Sequence, residues 1–175
     1  MFKKIAIGVV VLILIVLGLA AMQPDSFRVQ RAIAIKAPPE KIMPLISDFH
    51  NWPQWSPWEK LDPSMNRHYS GATRDVGAVY AWDGNKDVGS GRMEITSVTP
   101  PTKVGINLVF LQPFESHCVT DFTLDGKGET TTVTWTMSGP SNFMTKVMGL
   151  FASMDSMIGK DFEAGLASMK AVAEK

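Results

Sequence analysis

Glu115, His117 and Asp121 are the residues whose types and spacing come nearest to chemistry. They share one parity, so in a strand they stand on one face, where two carboxylates and an imidazole can act as acid and base or hold a metal ion. The other parity carries Cys118, Phe122 and Leu124, a set that belongs against a core and turns the polar trio toward solvent. His50 and His68 stand alone, so the histidines offer no metal-ligand spacing and no metal is expected. Cys118 is the only cysteine. It cannot form an internal disulfide, and a small buried core residue is the plainer role for it than a nucleophile. Arg92 and Glu94 share a parity apart from Met93 and Ile95, as an exposed pair on a strand would. The sequence carries no phosphate-cradling glycine loop, no cofactor fingerprint and no Ser–His–Asp or Cys–His spacing.

The more unusual residues are apolar. Trp52, Trp55 and Trp58 alternate with Pro53 and Pro57. Their rings bring large contact area with few rotors, which suits a lid over a cavity, an anchor at the membrane interface, or a satellite core pinning an irregular segment. Met93, Met137, Met144, Met148, Met154 and Met157 form a second group, and flexible thioethers suit either an adaptable ligand surface or core filling. Tyr80, Trp82 and Trp135 fall at inward strand positions, and the Tyr80 hydroxyl is a candidate partner for a ligand. Ile106, Leu108 and Phe110 on one strand, Phe122 on the next, and Val147, Phe151 and Ile158 on a helix complete the candidate cavity lining.

The strands and helices that carry these residues follow from periodicity. Phe27, Val29, Arg31, Ile33 and Ile35 alternate with smaller or polar residues and predict a strand, with Arg31 anomalous on its apolar side. Pro39 and Glu40 suit the first turn of a helix carrying Ile42, Leu45, Ile46 and Phe49, which Pro44 must shorten or kink. The Trp–Pro stretch is too broken for a long helix and predicts short turns. Strands are then expected at Arg67–Ser70, Val76–Asp83, Val88–Thr99, Lys103–Leu111, Glu115–Asp125 and Thr130–Ser138, with Asp125-Gly126-Lys127-Gly128 as a hairpin turn. Ser141 or Asn142 can cap a final helix in which Phe143, Val147, Phe151, Met154, Ile158, Phe162, Gly165 and Met169 keep helical spacing over about 30 residues. Strands joined by short turns pair antiparallel, and a single helix after them must cover one face of the sheet. A sheet curved around a long helix leaves room between the two.

Ile5 to Met22 contains no charged side chain, and its 18 positions at ~1.5 Å each span roughly the hydrocarbon core of a bilayer. The length favours an uncleaved anchor over a signal peptide, whose apolar region is shorter. Residues 1–26 are then anchor and tether, and residues 27–175 the folded domain. Lys3 and Lys4 place the N-terminus in the cytoplasm and the domain outside it, in the periplasm if the source is bacterial, while Arg28, Arg31 and Lys36 weigh against that orientation. The chain has 17 basic and 17 acidic residues, and this balance argues against nucleic acid as a partner.

The order of these elements resembles the START-like, or SRPBCC, superfamily with its helix-grip fold, and within it the polyketide cyclase/dehydrase and lipid-transport branch. The matching residues are Ile35-Lys36-Ala37-Pro38-Pro39-Glu40, Trp52-Pro53-Gln54-Trp55-Ser56-Pro57-Trp58, Gly77-Ala78-Val79-Tyr80-Ala81-Trp82, Gly89-Ser90-Gly91-Arg92-Met93, Thr132-Val133-Thr134-Trp135 and the Met- and Phe-rich final helix. The resemblance covers residues 27 to about 173. It implies an α+β fold of about seven antiparallel strands around a long C-terminal helix, preceded here by a membrane helix. It also implies a cavity for an apolar small molecule such as a lipid, isoprenoid or polyketide. The family includes carriers, cyclases, hydrolases and protein-binding regulators. Three functions follow in order of expectation: a membrane-tethered binding or carrier domain, a cyclase/dehydratase, and a protein-interaction module. No catalytic residue is implied.

Overall fold

The computed structural model describes residues 2–175. An apolar helix, α1 (Phe2–Ala21), leads by a short tether into β1 (Ser26–Ile35). Then come α2 (Pro39–Ser47), a 3-10 helix (Phe49–Gln54) and the single turn α3 (Trp58–Leu61). Six strands follow: β2 (Asn66–Gly71), β3 (Ala78–Asp83), β4 (Ser90–Thr99), β5 (Lys103–Gln112), β6 (Ser116–Lys127) and β7 (Thr130–Pro140). Two helices, α4 (Phe143–Gly149) and α5 (Met154–Ala173), end the chain.

The seven strands form one antiparallel sheet in the order β1-β7-β6-β5-β4-β3-β2. Consecutive strands from β2 onward are neighbours, as short turns require. β1 closes the sheet on the far side, paired with β7 from Ser26↔Pro140 to Ile35↔Thr131. Residues 36–65 therefore cross from one edge strand to the other, carrying α2 and the tryptophan segment over the inner face. α5 lies on β1. The expected α+β helix-grip architecture is present, and α1 has the length and composition to cross a membrane, as a signal sequence also would.

Three details differ from the sequence expectations. The β6–β7 turn falls at Gly128-Glu129, because Lys127 still pairs with Thr130 and Gly128 takes the left-handed φ of 63° that such a turn needs. β3 begins at Ala78 and β4 at Ser90, each two residues late. The final helix is not continuous over 30 residues. Gly149, a poor helix former, ends α4. Ser153 then starts α5 afresh, its hydroxyl accepting from the Ser156 N–H at 3.1 Å, with Asp155 in the first turn. Asn142 caps α4 in the same way through the Thr145 N–H.

Arg31 loses its anomaly. It lies under α5 on the inward side of β1, with Nε 2.6 Å from Glu163 and Nη1 2.7 Å from Asp155. Gly159 makes room for it, since a methyl there would collide with the guanidinium. The arginine is thus a clasp between the edge strand and the helix.

Candidate functional site

The inner face of the sheet is an aromatic interior, and its assembly begins in α2. The last carbonyls of a helix have no partner within it. Here the carbonyls of Pro44, Leu45 and Ile46 are taken by side chains from the next segment: Asn51 Nδ2 (2.9 Å), Trp55 Nε1 (2.7 Å) and Trp52 Nε1 (3.1 Å). These bonds terminate α2 and hold both indoles against the sheet, each meeting Phe122 edge-to-face. Trp52 and Trp55 meet at 4.8 Å between centroids. Trp55 then meets Trp135 of β7 edge-on at 5.5 Å, and Trp58 does so at 5.7 Å. Trp135 stacks on Phe122 at 4.9 Å and lies parallel to Phe162 of α5. At this level the space between helix and sheet is filled by rings.

Among the expected lining residues, Trp55, Tyr80, Met93, Ile106, Leu108, Phe122, Trp135 and Met137 are buried in this interior. Trp58, Trp82, Phe110, Met154 and Ile158 are half-buried against it, and Val147 is half-buried on α4. Met144, Met148 and Phe151 depart from the expectation: they are 49%, 42% and 81% exposed. The cause is the break after Gly149, which lets α4 swing away from the sheet and lie against α1.

Among the described residues, two polar atoms inside the interior have no hydrogen-bond partner, Thr120 Oγ1 and Trp135 Nε1. Their residues are 3% and 2% exposed. Phe122 stands opposite Trp135 and Thr120 opposite Met137, so the two are diagonal neighbours on the inner face of β6 and β7. Sequence reasoning passed over Thr120, although its parity with Cys118 and Phe122 marks it as an inward hydroxyl.

A second polar group is complete in itself. Tyr80 donates its hydroxyl to Glu59 Oε1 at 2.7 Å, and Arg67 Nε donates to Glu59 Oε2 at 2.7 Å. Arg67 also reaches the Met65 carbonyl. Burial, followed by the bond to Glu59, pushes the Tyr80 phenol far above its ordinary value. The cluster ties α3 to β2 and β3, and Tyr80 has no proton free for a ligand. Glu59 and Arg67 were not singled out in the sequence, because eight positions of a turn and a strand hide the contact.

The polar trio, Glu115 just before β6 and His117 and Asp121 on it, stands on the outer face. His117 Nε2 lies 3.2 Å from Glu115, both exposed, and Asp121 pairs with Lys103 of β5 at 3.0 Å. Arg92 and Glu94 form an exposed pair along β4. Burial raises the Cys118 thiol above its usual value, which suits an inert core residue. A recess of about 240 Å³, open to solvent, lies where the tether, β1, α4 and the start of α5 meet; Phe27, Lys146 and Met154 line it.

A curved antiparallel sheet gripping a C-terminal helix over an apolar interior defines a helix-grip domain of the START-like, or SRPBCC, class. Residues 26–174 match the family described as polyketide cyclase / dehydrase and lipid transport, and the chain belongs to that family. Solved structures share the fold at low identity. Ginseng major latex-like protein 151 from Panax ginseng is 18% identical with a TM-score of 0.63, covering 86% of this chain and 99% of its own. The Aha1 dimer from Colwellia psychrerythraea is 19% identical with a TM-score of 0.60, covering 85% and 96%. DynU16, from the dynemicin biosynthetic locus, is 19% identical with a TM-score of 0.60 over 87% of this chain, which spans about half (48%) of the DynU16 chain. No curated protein sequence matches the chain significantly.

Proposed function

We propose that this chain is a membrane-tethered binding or carrier domain for an apolar small molecule carrying at least one oxygen function: a lipid, an isoprenoid or a polyketide-like compound. The observation that carries the reading is the unpartnered pair Thr120 Oγ1 and Trp135 Nε1 within an aromatic and Met-rich interior. A buried polar group without a partner costs free energy, so such groups are nearly always satisfied in folded proteins. The indole N–H is a donor only, and the hydroxyl can donate or accept. Together they suit a carbonyl or hydroxyl oxygen on a molecule whose remainder is apolar. Water could satisfy the same atoms, and the test separates the two. Rings close the helix–sheet space near Trp135 and Phe162, and Met93, Leu108 and Met137 supply flexible apolar side chains beside Thr120 on the same inner face. The family description, which includes lipid transport, supports the same class of ligand, and the apolar α1 supports delivery at a bilayer.

The test is organic extraction and native mass spectrometry of the full chain purified in mild detergent. A small apolar molecule bound near one per chain, and lost on Thr120→Val with the fold intact by circular dichroism, is the expected result. Empty protein, together with no rise in Tm on adding lipids, isoprenoids or aromatic polyketides, overturns the reading.

The cyclase/dehydratase reading requires an acid or base aimed at the guest. Glu59 and Tyr80 are the buried pair nearest that requirement, and each already satisfies the other. Binding without turnover is therefore the better-supported function.

A further inference from the structure

We propose that α4 and the Leu150–Ser153 connection are embedded in the membrane boundary beside α1, with Phe143, Met144, Met148 and Phe151 facing acyl chains. The proposal rests on the tethering reading above and adds a second membrane contact to it. Phe143, Met144, Val147 and Met148 share one side of α4, and Leu150 and Phe151 continue it, while Thr145, Lys146 and Gly149 take the other. Four of those six apolar residues are exposed, with Phe151 at 81%. Such a patch on a single short helix marks an interaction surface.

What covers it follows from where α4 is held. Its neighbour is α1, in which Ala20 is buried and Val16, one turn earlier, is half-buried, whereas the other residues from Val11 to Leu19 are exposed. α4 therefore rests on the last turns of the apolar helix, and Val16 lies about 7.5 Å before the helix end at ~1.5 Å per residue. That depth matches the ~5–10 Å to which interfacial helices bury their apolar faces. The position is fixed by polar contacts as well. The Ser141 N–H donates to the Asp25 carbonyl at 2.8 Å, and Lys146 Nζ pairs with the Asp25 carboxylate. Both tie α4 to the tether at the point where α1 ends. A bilayer that surrounds α1 must then meet the exposed side of α4. Breaking the final helix at Gly149 thus has a use: it frees the roughly two turns of α4, with their apolar side, from the sheet and turns them toward lipid.

The test places nitroxide labels on the full chain in nanodiscs of phosphatidylcholine and phosphatidylglycerol. Met144→Cys, Met148→Cys and Phe151→Cys are compared with Leu12→Cys in α1 and Glu129→Cys in the β6–β7 turn, which is at the far end of the sheet from the tether. Cys118 is buried, so labelling is confined to the introduced thiols. Labels at 144, 148 and 151 should be accessible to dissolved oxygen and shielded from a water-soluble nickel chelate, as the deeper label at 12 is to a greater degree. Shielding lost at 144, 148 and 151 but kept at 12 overturns the proposal while leaving the tether intact. A label at 12 open to the chelate overturns the tether reading and this proposal together.

Discussion

Trp135 lies flat on Phe162, their ring centroids 4.1 Å apart and their planes within 9°. The contact joins β7 to α5 at the middle of the domain, and Trp55, Trp58 and Phe122 surround the same indole. One face of Trp135 is thereby committed to packing, while its Nε1 is left without a protein partner. One indole thus both packs the core and carries an unpartnered donor.

Phe162→Ala should remove that stack and leave a cavity under α5. Loss of a fully buried phenylalanine costs about 3–5 kcal/mol. Denaturant unfolding followed by tryptophan fluorescence measures it, and a cost below that range would mean that the interior collapses around the gap.

Gly159→Ala should reverse an ordinary trend. In a helix interior, alanine is favoured over glycine by about 1 kcal/mol. Here the added methyl meets the Arg31 guanidinium, which must move and release Asp155 or Glu163. The variant is expected to be less stable than the parent by thermal unfolding; a gain in Tm would show the clasp to be loose.

Tyr80→Phe leaves Glu59 buried with one oxygen unpaired. An unsatisfied buried acceptor costs about 1–3 kcal/mol, more for a charged group. The same experiment as for Phe162 reads it, and ligand occupancy should not change, since the Tyr80 hydroxyl is engaged by Glu59.

Acid should weaken the domain. The Arg31 hydrogen bond holds Asp155 below its usual value, and the Ser64 hydroxyl does the same for Asp62, helped by the Asn85 N–H. The fold favours both charged carboxylates, so the unfolded chain takes up protons first as pH falls. Their stabilisation is complete above the ordinary carboxylate value near pH ~4 and declines below it. A series of unfolding curves from neutral to acid pH should show the decline, and Asp155→Asn should flatten it.

The sheet is legible in the residue pattern. Alternation from Lys103 to Phe110 and from Thr130 to Met137 fixes which side chains face inward, and short turns leave only antiparallel neighbours. The same reading finds the apolar helix and the inward places of Tyr80, Phe122 and Trp135. Contacts between distant segments supplied what periodicity does not encode. Arg31 looked misplaced until Asp155 and Glu163, more than 120 positions away, closed around it. Helical spacing continues through Gly149 to Ser153, so the pattern alone favoured one long helix. Capping by Ser153 and the pull of α1 and Asp25 on α4 broke it. The unpartnered Thr120 and Trp135 are a property of what surrounds each atom in space, because hydrogen bonding depends on partners brought together by folding and not on the residue's own type.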